Sequence, residues 1–442
     1  MNGVGDALVV WEQDIGTALN IWARRFDSDA GAWSARATIR SLAWTDAGLP
    51  ICCSRVGLDP LGNGFAVWQQ TSGGTQSIMA ARYRLDLKTW EAPAAIQGTD
   101  SPSSPAPGTL FGGAEFGMFT PTREHELAVD GLGGAVVVWL HAIDGGRDVW
   151  ANRFTGDAGW GNAGAIEPIP DAGSSVGKPS VGADGFGGAA AVWVRDYAVW
   201  WNLSSSDGGW AAAVPLFAMD AGELGGSWPS NARIVTNAAG ARVVVWNQSF
   251  ATRQVWVRRL IPPSVDWLPA ETLADVSDGF ALEPAVAIDA EGNALVAWNQ
   301  RADGGHMQAW ARRYAADAGI GPAAAVATVS PLASFAYAPP PVIALDGAGN
   351  GFLTLLLYGD LSSPPQVSAA RYSRAASTWS SPTVIGGSEG VAFGPSAAAG
   401  AAGTALVVWG SEVDDVGYRV WENRFTADAG WRDAGAVWSP FD

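Results

Sequence analysis

The stretch Glu283-Pro-Ala-Val-Ala-Ile-Asp289-Ala-Glu-Gly292-Asn293-Ala-Leu-Val-Ala-Trp298 holds the frame on which the chain is built. An apolar run ends at Asp289, Gly292 follows, and a second apolar run ends in Trp298. Asp and Asn fold their side chains over their own turns, and Gly accepts the positive φ a short hairpin needs. The apolar runs on either side read as buried strands. The stretch is therefore a β-hairpin.

Its frame recurs at Asp59, Gly62 and Trp68, at Asp130, Gly133 and Trp139, and at Asp184, Gly187 and Trp193. It continues at Asn237, Gly240 and Trp246, at Asp346, Gly349 and Leu355, and at Gly400, Gly403 and Trp409. Asn2, Gly5 and Trp11 fit the same frame, so the chain opens inside a turn whose preceding strand is missing. That predicts a natural start further upstream. Beyond each Trp slot a third strand reads Trp-x-x-Arg-aromatic, as in Trp150 to Phe154 and Trp421 to Phe425. A turn with Asp and a further Trp then open a fourth strand, as at Asp157 and Trp160.

The Trp slots lie 52 to 71 residues apart. Four-stranded units of that length, repeated this often, predict an all-β, eight-bladed β-propeller of antiparallel blades. The first blade would lack its innermost strand, and the seam between the terminal blades would be weakly sealed. The alternative is seven blades plus a displaced terminal repeat. The whole of 1–442 reads as one propeller domain, with repeats near 1–48, 49–121, 122–176, 177–228, 229–281, 282–338, 339–392 and 393–442. Most of the 24 tryptophans occupy repeat slots. Their expected role is packing between blades, where each indole buries about 150–250 Å².

Composition narrows the function classes. A net charge of −17 opposes binding to nucleic acid phosphates or an anionic membrane. No apolar run is long enough for a membrane helix, and the opening residues show no signal peptide. The two cysteines, Cys52 and Cys53, are adjacent. The expected state is a pair of small buried thiols. The three histidines form no ligand-spaced pair, and no cofactor fingerprint occurs, so neither a metal nor a cofactor is expected.

The turn before strand four resembles the Asp-box of sialidase-type propellers. Thr426-Ala-Asp428-Ala-Gly430-Trp431 and Thr155-Gly-Asp157-Ala-Gly159-Trp160 carry that resemblance, with a Gly-to-Trp spacing two residues shorter. In that family the box is structural. The Arg-Ile-Pro strand of sialidases has no counterpart here. The turn also resembles the tryptophan-docking repeat of eight-bladed quinoprotein propellers, without its Thr-Gly-Lys element. Across nearly the whole chain the unit is similar to that of uncharacterised exported bacterial β-propeller repeat proteins, which implies an exported or cell-envelope location and no particular activity.

Strand parity places the turns after strands one and three at one end of each blade, and those after two and four at the other. The first set is stereotyped and the second varies in every copy, which marks the variable end as the place for specificity. Candidate ligand-binding residues there are Glu12, Gln13, Gln70, His141, Arg195, Gln248 and Gln300, just past the Trp slot, with Trp44 and Trp228 on loops. The rival role for the polar members is capping of loop backbone. The long segment 98–122 reads as a lid or binding loop. The recurrent third-strand arginines are expected to pair with turn aspartates of neighbouring blades. No residue is singled out as catalytic. The resulting expectation is a non-enzymatic scaffold that binds protein or glycan. The alternatives are a glycan-active hydrolase built on a carboxylate pair and a structural part of a surface assembly.

Overall fold

The computed structural model describes residues 1–43, 51–72, 75–97, 125–143, 146–167, 176–218, 228–249, 253–274, 281–301, 305–330, 338–359, 363–386, 390–400, 403–413 and 417–438. The fold is an all-β, eight-bladed β-propeller of small antiparallel sheets. In the sixth sheet the strands run Ala281–Ile288, Ala294–Arg301, Met307–Ala315 and Gly319–Ser330, each paired with the next. Seven sheets begin with such an inner strand. The first sheet starts with Ala7–Asp14, which holds the strand-two slot, and among the described residues no strand pairs on its inner side. Eight sheets exclude a seven-blade arrangement with a displaced repeat.

The predicted turn chemistry is present in each copy. Gly5, Gly62, Gly133, Gly187, Gly240, Gly292, Gly349 and Gly403 all take positive φ. The side-chain oxygens of Asp59, Asp130, Asp184, Asn237, Asp289 and Asp346 accept the backbone N–H four residues on, at 2.7–2.9 Å. Register follows the sequence frame. Trp139 pairs with Trp150, Trp193 with Trp200, Trp246 with Trp256, Trp298 with Trp310 and Trp409 with Trp421.

Strand four is interrupted in most blades. In five blades it is two short pieces that both pair with strand three, such as Gly159–Trp160 and Gly164–Ala165. At the break, the residue after the Trp donates its N–H to the carbonyl of the third-strand Arg, as Gly161 does to Arg153 at 2.8 Å. That bond diverts the chain before the ladder resumes.

Inter-residue packing divides the chain into two compact units. The amino-side unit comprises Leu8–Phe26 and Ser34–Leu216; the carboxyl-side unit comprises Met1–Ala7, Asp27–Trp33 and Phe217–Asp442. In the amino-side unit, Trp68 of blade two packs on Leu19, Ile21 and Ile39 of blade one, and Trp193 of blade four packs on Val136, Val138 and Val149 of blade three. In the carboxyl-side unit, Trp298 packs on Val245, Val257 and Leu273, and Trp409 on Val367, Ala369 and Ile385. The strand-two indoles thus wedge neighbouring sheets together. Those of strands three and four, Trp438 apart, are only half-buried, because the outer strands meet solvent on one side. Within the carboxyl-side unit the first copy also touches the eighth. Trp33 donates its indole N–H to Glu422 at 3.4 Å, and a Cβ at Gly400 would lie 3.2 Å from the Met1 sulfur.

Two expectations are corrected. Cys52 and Cys53 are joined by a disulfide rather than being free thiols. The half-cystine Cys53 sits at a strand-one bulge with positive φ, a position that Asn231, Glu283 and Gly394 fill in other blades. The third-strand arginines do not follow one ion-pairing rule. Arg153 pairs with Asp130 of its own blade at 2.6 Å and reaches the next blade through the carbonyl of Gly187. Arg82, Arg259 and Arg371 lie over Phe154, Tyr314 and Phe425 of the next blade instead, as cation–π contacts.

Candidate functional site

The two residues that follow the Trp slot in strand two decide what the variable end of each blade offers. The first residue after the Trp slot works as a clasp. Glu12 accepts the Ser54 N–H at 2.6 Å. Asn247 donates to the Ala281 carbonyl at 3.0 Å and accepts from Glu283 N–H at 3.2 Å. Asn299 donates to the Pro339 carbonyl at 2.8 Å. Each bond ties a blade to the start of the next one's inner strand.

The second residue points along the same face as the indole. Gln300 accepts the Trp298 indole N–H at 2.9 Å, and Ser411 accepts that of Trp421 at 2.8 Å. Gln70 is buried beside Trp68 in the equivalent place, with its carbonyl oxygen lacking a donor. Gln13 likewise has a buried carbonyl oxygen without a donor. Gln248 is fully buried, opposite Gln254 on strand three. Gln300 is thus an internal partner of its own tryptophan, and Gln70 and Gln248 are buried rather than facing solvent.

Blades three and four differ, because His141 and Arg195 hold that slot. Strand two of blade four, Ala189–Arg195, ends by pushing its guanidinium against blade three. Arg195 Nε donates to Glu167 Oε2 at 2.9 Å, and its terminal nitrogen lies 2.7 Å from Glu167 Oε1 and 3.2 Å from Asp148 Oδ1. Glu167 also accepts the Val149 N–H at 2.5 Å, and its side chain has no exposed surface. Burial, then the Glu167 charge, push the Asp148 carboxyl above the usual aspartate range, with Arg195 opposing them. His141 faces Asp148 across the ladder, and its ring lies 4.2 Å from that of Trp150. Burial pulls the imidazole below its ordinary value, which keeps it neutral near pH 7.

Of this cluster the sequence reading had singled out His141 and Arg195 as binding candidates, but not their convergence, and Glu167 gave no signal. A second group missed was Asn152, Asn202 and Asn423, two residues past the third-strand Trp. Their amides bridge the carbonyls of Ile96 and Gly161, Ile166 and Ala211, and Ile385 and Arg432. The repetition of Trp-x-Asn in three copies was the available signal. Trp228 stands 54% exposed at the entry to Pro229–Thr236. Tyr197 and Tyr418 are also exposed near variable ends of their blades. Trp44 and the segment 98–122 lie outside the described residues. Among the described residues no His, Cys, Asp and Glu side chains group as a metal site. No helix there is long and apolar enough to cross a membrane.

Tyr314 donates to Glu271, and burial with that bond pushes the phenol up to about 12. It sits on outer strands, where Arg259 packs over the ring. Its role there is to join blades five and six.

In sequence the chain matches no protein-family profile and no curated protein. Its fold is similar to that of a lectin from Burkholderia pseudomallei, at 14% identity and TM-score 0.49, over 85% of this chain and 95% of that one. An ulvan lyase is similar at 10% identity and TM-score 0.48, over 84% and 87%. The intramolecular trans-sialidase from Ruminococcus gnavus is similar at 9% identity and TM-score 0.44, over 86% and 94%. What this chain shares with them is the propeller fold.

Proposed function

We propose that the chain is a non-enzymatic binding scaffold that takes up a protein or glycan at the variable ends of its blades. The observation that carries this reading is the exposure of aromatic side chains there, Trp228, Tyr197 and Tyr418, on strand ends held by a closely packed framework. Exposed indole and phenol rings offer flat apolar area with a polar rim, suited to the face of a sugar ring or to an apolar anchor of a protein.

The hydrolase reading has one observation in its favour, the convergent carboxylates Asp148 and Glu167. One nitrogen of Arg195 lies 2.7 Å from Glu167 and 3.2 Å from Asp148, whereas glycosidases leave the room between their two carboxyl groups to sugar or water. Arg195 occupies the space and the charge. The pair supports a clasp between blades three and four better than a reaction centre.

A glycan array, backed by calorimetry with the best-bound oligosaccharide, tests the proposal. Binding by the full chain is expected to weaken at least tenfold in Trp228→Ala, with the substrate recovered unchanged. Turnover of an arrayed glycan that disappears in Asp148→Asn would overturn it in favour of the hydrolase.

A further inference from the structure

The most exposed apolar side chains of the amino-side unit are not at the variable ends. They crown the stereotyped turns after strand one. Leu61 is 76% exposed, Leu132 70% and Phe186 70%. All three hold one repeat slot, the residue before the positive-φ glycine: Asp59-Pro-Leu61-Gly62, Asp130-Gly-Leu132-Gly133 and Asp184-Gly-Phe186-Gly187. Val4 holds the slot in the first copy, and is 69% exposed. In the later copies the slot falls to Ala239, Glu291, Ala348 and Ala402. Turn chemistry does not ask for a large apolar group here, since the copies at Gly240, Gly292 and Gly349 fold the same turn with alanine or glutamate.

The three tips sit on turns that abut. Gly131 N–H donates to the Asp184 carbonyl at 3.0 Å. A Cβ at Gly131 would come within 2.6 Å of Gly185, and one at Gly187 within 3.1 Å of the Leu132 Cδ1. A Cβ at Gly133 would lie 3.1 Å from Asp59 Oδ2. Glycines at these contacts let three neighbouring blades bring their tips side by side, which makes one apolar strip rather than scattered residues.

Charge beside the strip selects the occupant. The turns after strand three emerge at the same ends of these blades and expose Asp157 and Asp207. Hydrogen bonds from Ser205 and the Gly209 N–H hold the Asp207 carboxyl below its usual range, so it stays ionised. Arg84 is engaged by Asp86 and Arg153 by Asp130, which leaves Lys88 as the one lysine on these turns. With a chain charge of −17, a second copy and an anionic lipid surface would both be repelled.

We infer that the strip of Leu61, Leu132 and Phe186 is a docking surface for a protein segment that presents apolar side chains interspersed with lysine or arginine. The scaffold then has two working ends, one for the ligand of the variable loops and one for a cationic protein partner.

A randomised dodecapeptide display library selected on the full chain tests this. The expected consensus combines Leu, Phe or Trp with Lys or Arg. A synthetic consensus peptide is expected to bind at least tenfold more weakly to Leu132→Ser and to Phe186→Ser, and to weaken with added salt, while Trp228→Ala leaves it unchanged. Unaltered thermal midpoints show that the serine variants are folded. The inference is overturned if no peptide is enriched, or if the consensus is acidic or uncharged. It is equally overturned if the serine variants bind as well as the parent. Self-association in sedimentation, or flotation with phosphatidylcholine vesicles, that the serine changes abolish would assign the strip to a second copy or to lipid and refute the cationic partner.

Discussion

Blades three and four carry opposite chemistries at their two ends. At the variable end, where loop sequences differ in every copy, Arg195, Asp148 and His141 are buried, and so is the side chain of Glu167. At the turn end, where the frame repeats almost unchanged, Leu132 and Phe186 stand in solvent. Polarity alone predicts the reverse. What decides burial is where neighbouring sheets meet. The strand-two end of blade four leans on the strand-three end of blade three, so whatever stands there is enclosed and must be paired. The turn tip projects past that seam, so an apolar residue there is left to a partner. Sequence variation along the ring marks where the seam has been rebuilt, and it is a poor guide to what is exposed.

The comparison breaks first at Arg195. Arg195→Met leaves two carboxylates enclosed without their cation, which should cost about 3–5 kcal/mol. Urea unfolding at pH 7 checks this, and a loss below ~1 kcal/mol would mean that water already reaches the pair. At the other end, Gly133→Ala puts a side chain on a residue at φ +82 whose Cβ would lie 3.1 Å from the Asp59 carboxylate. The left-handed backbone costs an L-residue about 1–2 kcal/mol, and the expected loss lies in that range. Should Gly133→Ala prove more damaging than Arg195→Met, the turn end and not the buried cluster would be the stiffer of the two.

Most of the fold was legible because the propeller repeats its own grammar. Asp289, Gly292 and Trp298 state turn, backbone hand and core position in a single stretch, and seven further copies restate them. The start of the first sheet at its strand-two slot followed from the same frame. The site was far less legible. Arg195 could be seen as an odd residue in the slot that Gln70 and Gln300 fill, but its partner Glu167 lies on a segment with no repeat signature, contributed by the preceding blade. Capping of loop backbone was the rival role weighed for Glu12, but the backbone it would meet was hidden, since a hydrogen bond to the next blade leaves no trace in residue type. The apolar tips were visible as letters in the turn frame. Their exposure was not, because a leucine in a tight turn reads equally well as a residue folded back on the core. The disulfide of Cys52 and Cys53 was masked by the rarity of bonded neighbours.

The smallest effect concerns the sign of a pH dependence inside the buried cluster. Burial and the neighbouring Glu167 raise the Asp148 carboxyl above its unfolded value, against the pull of Arg195. A raised acid binds its proton more tightly in the folded chain than in the unfolded one. Its contribution is therefore fully present below the ordinary aspartate pKa, and is lost as pH climbs through the folded value. Asparagine keeps the neutral hydrogen-bonding shape and has no proton to lose. Asp148→Asn should match the parent near pH 3.5 and gain on it between pH 4 and 7, a trend that denaturant midpoints across that range would reveal. If the variant instead falls behind as pH rises, the ionised Asp148 is held by Arg195 more strongly than Glu167 repels it. The cluster would then be a simple ion pair with one spare carboxylate, and the turn end would be left as the part of these blades where the side chains least suit their surroundings.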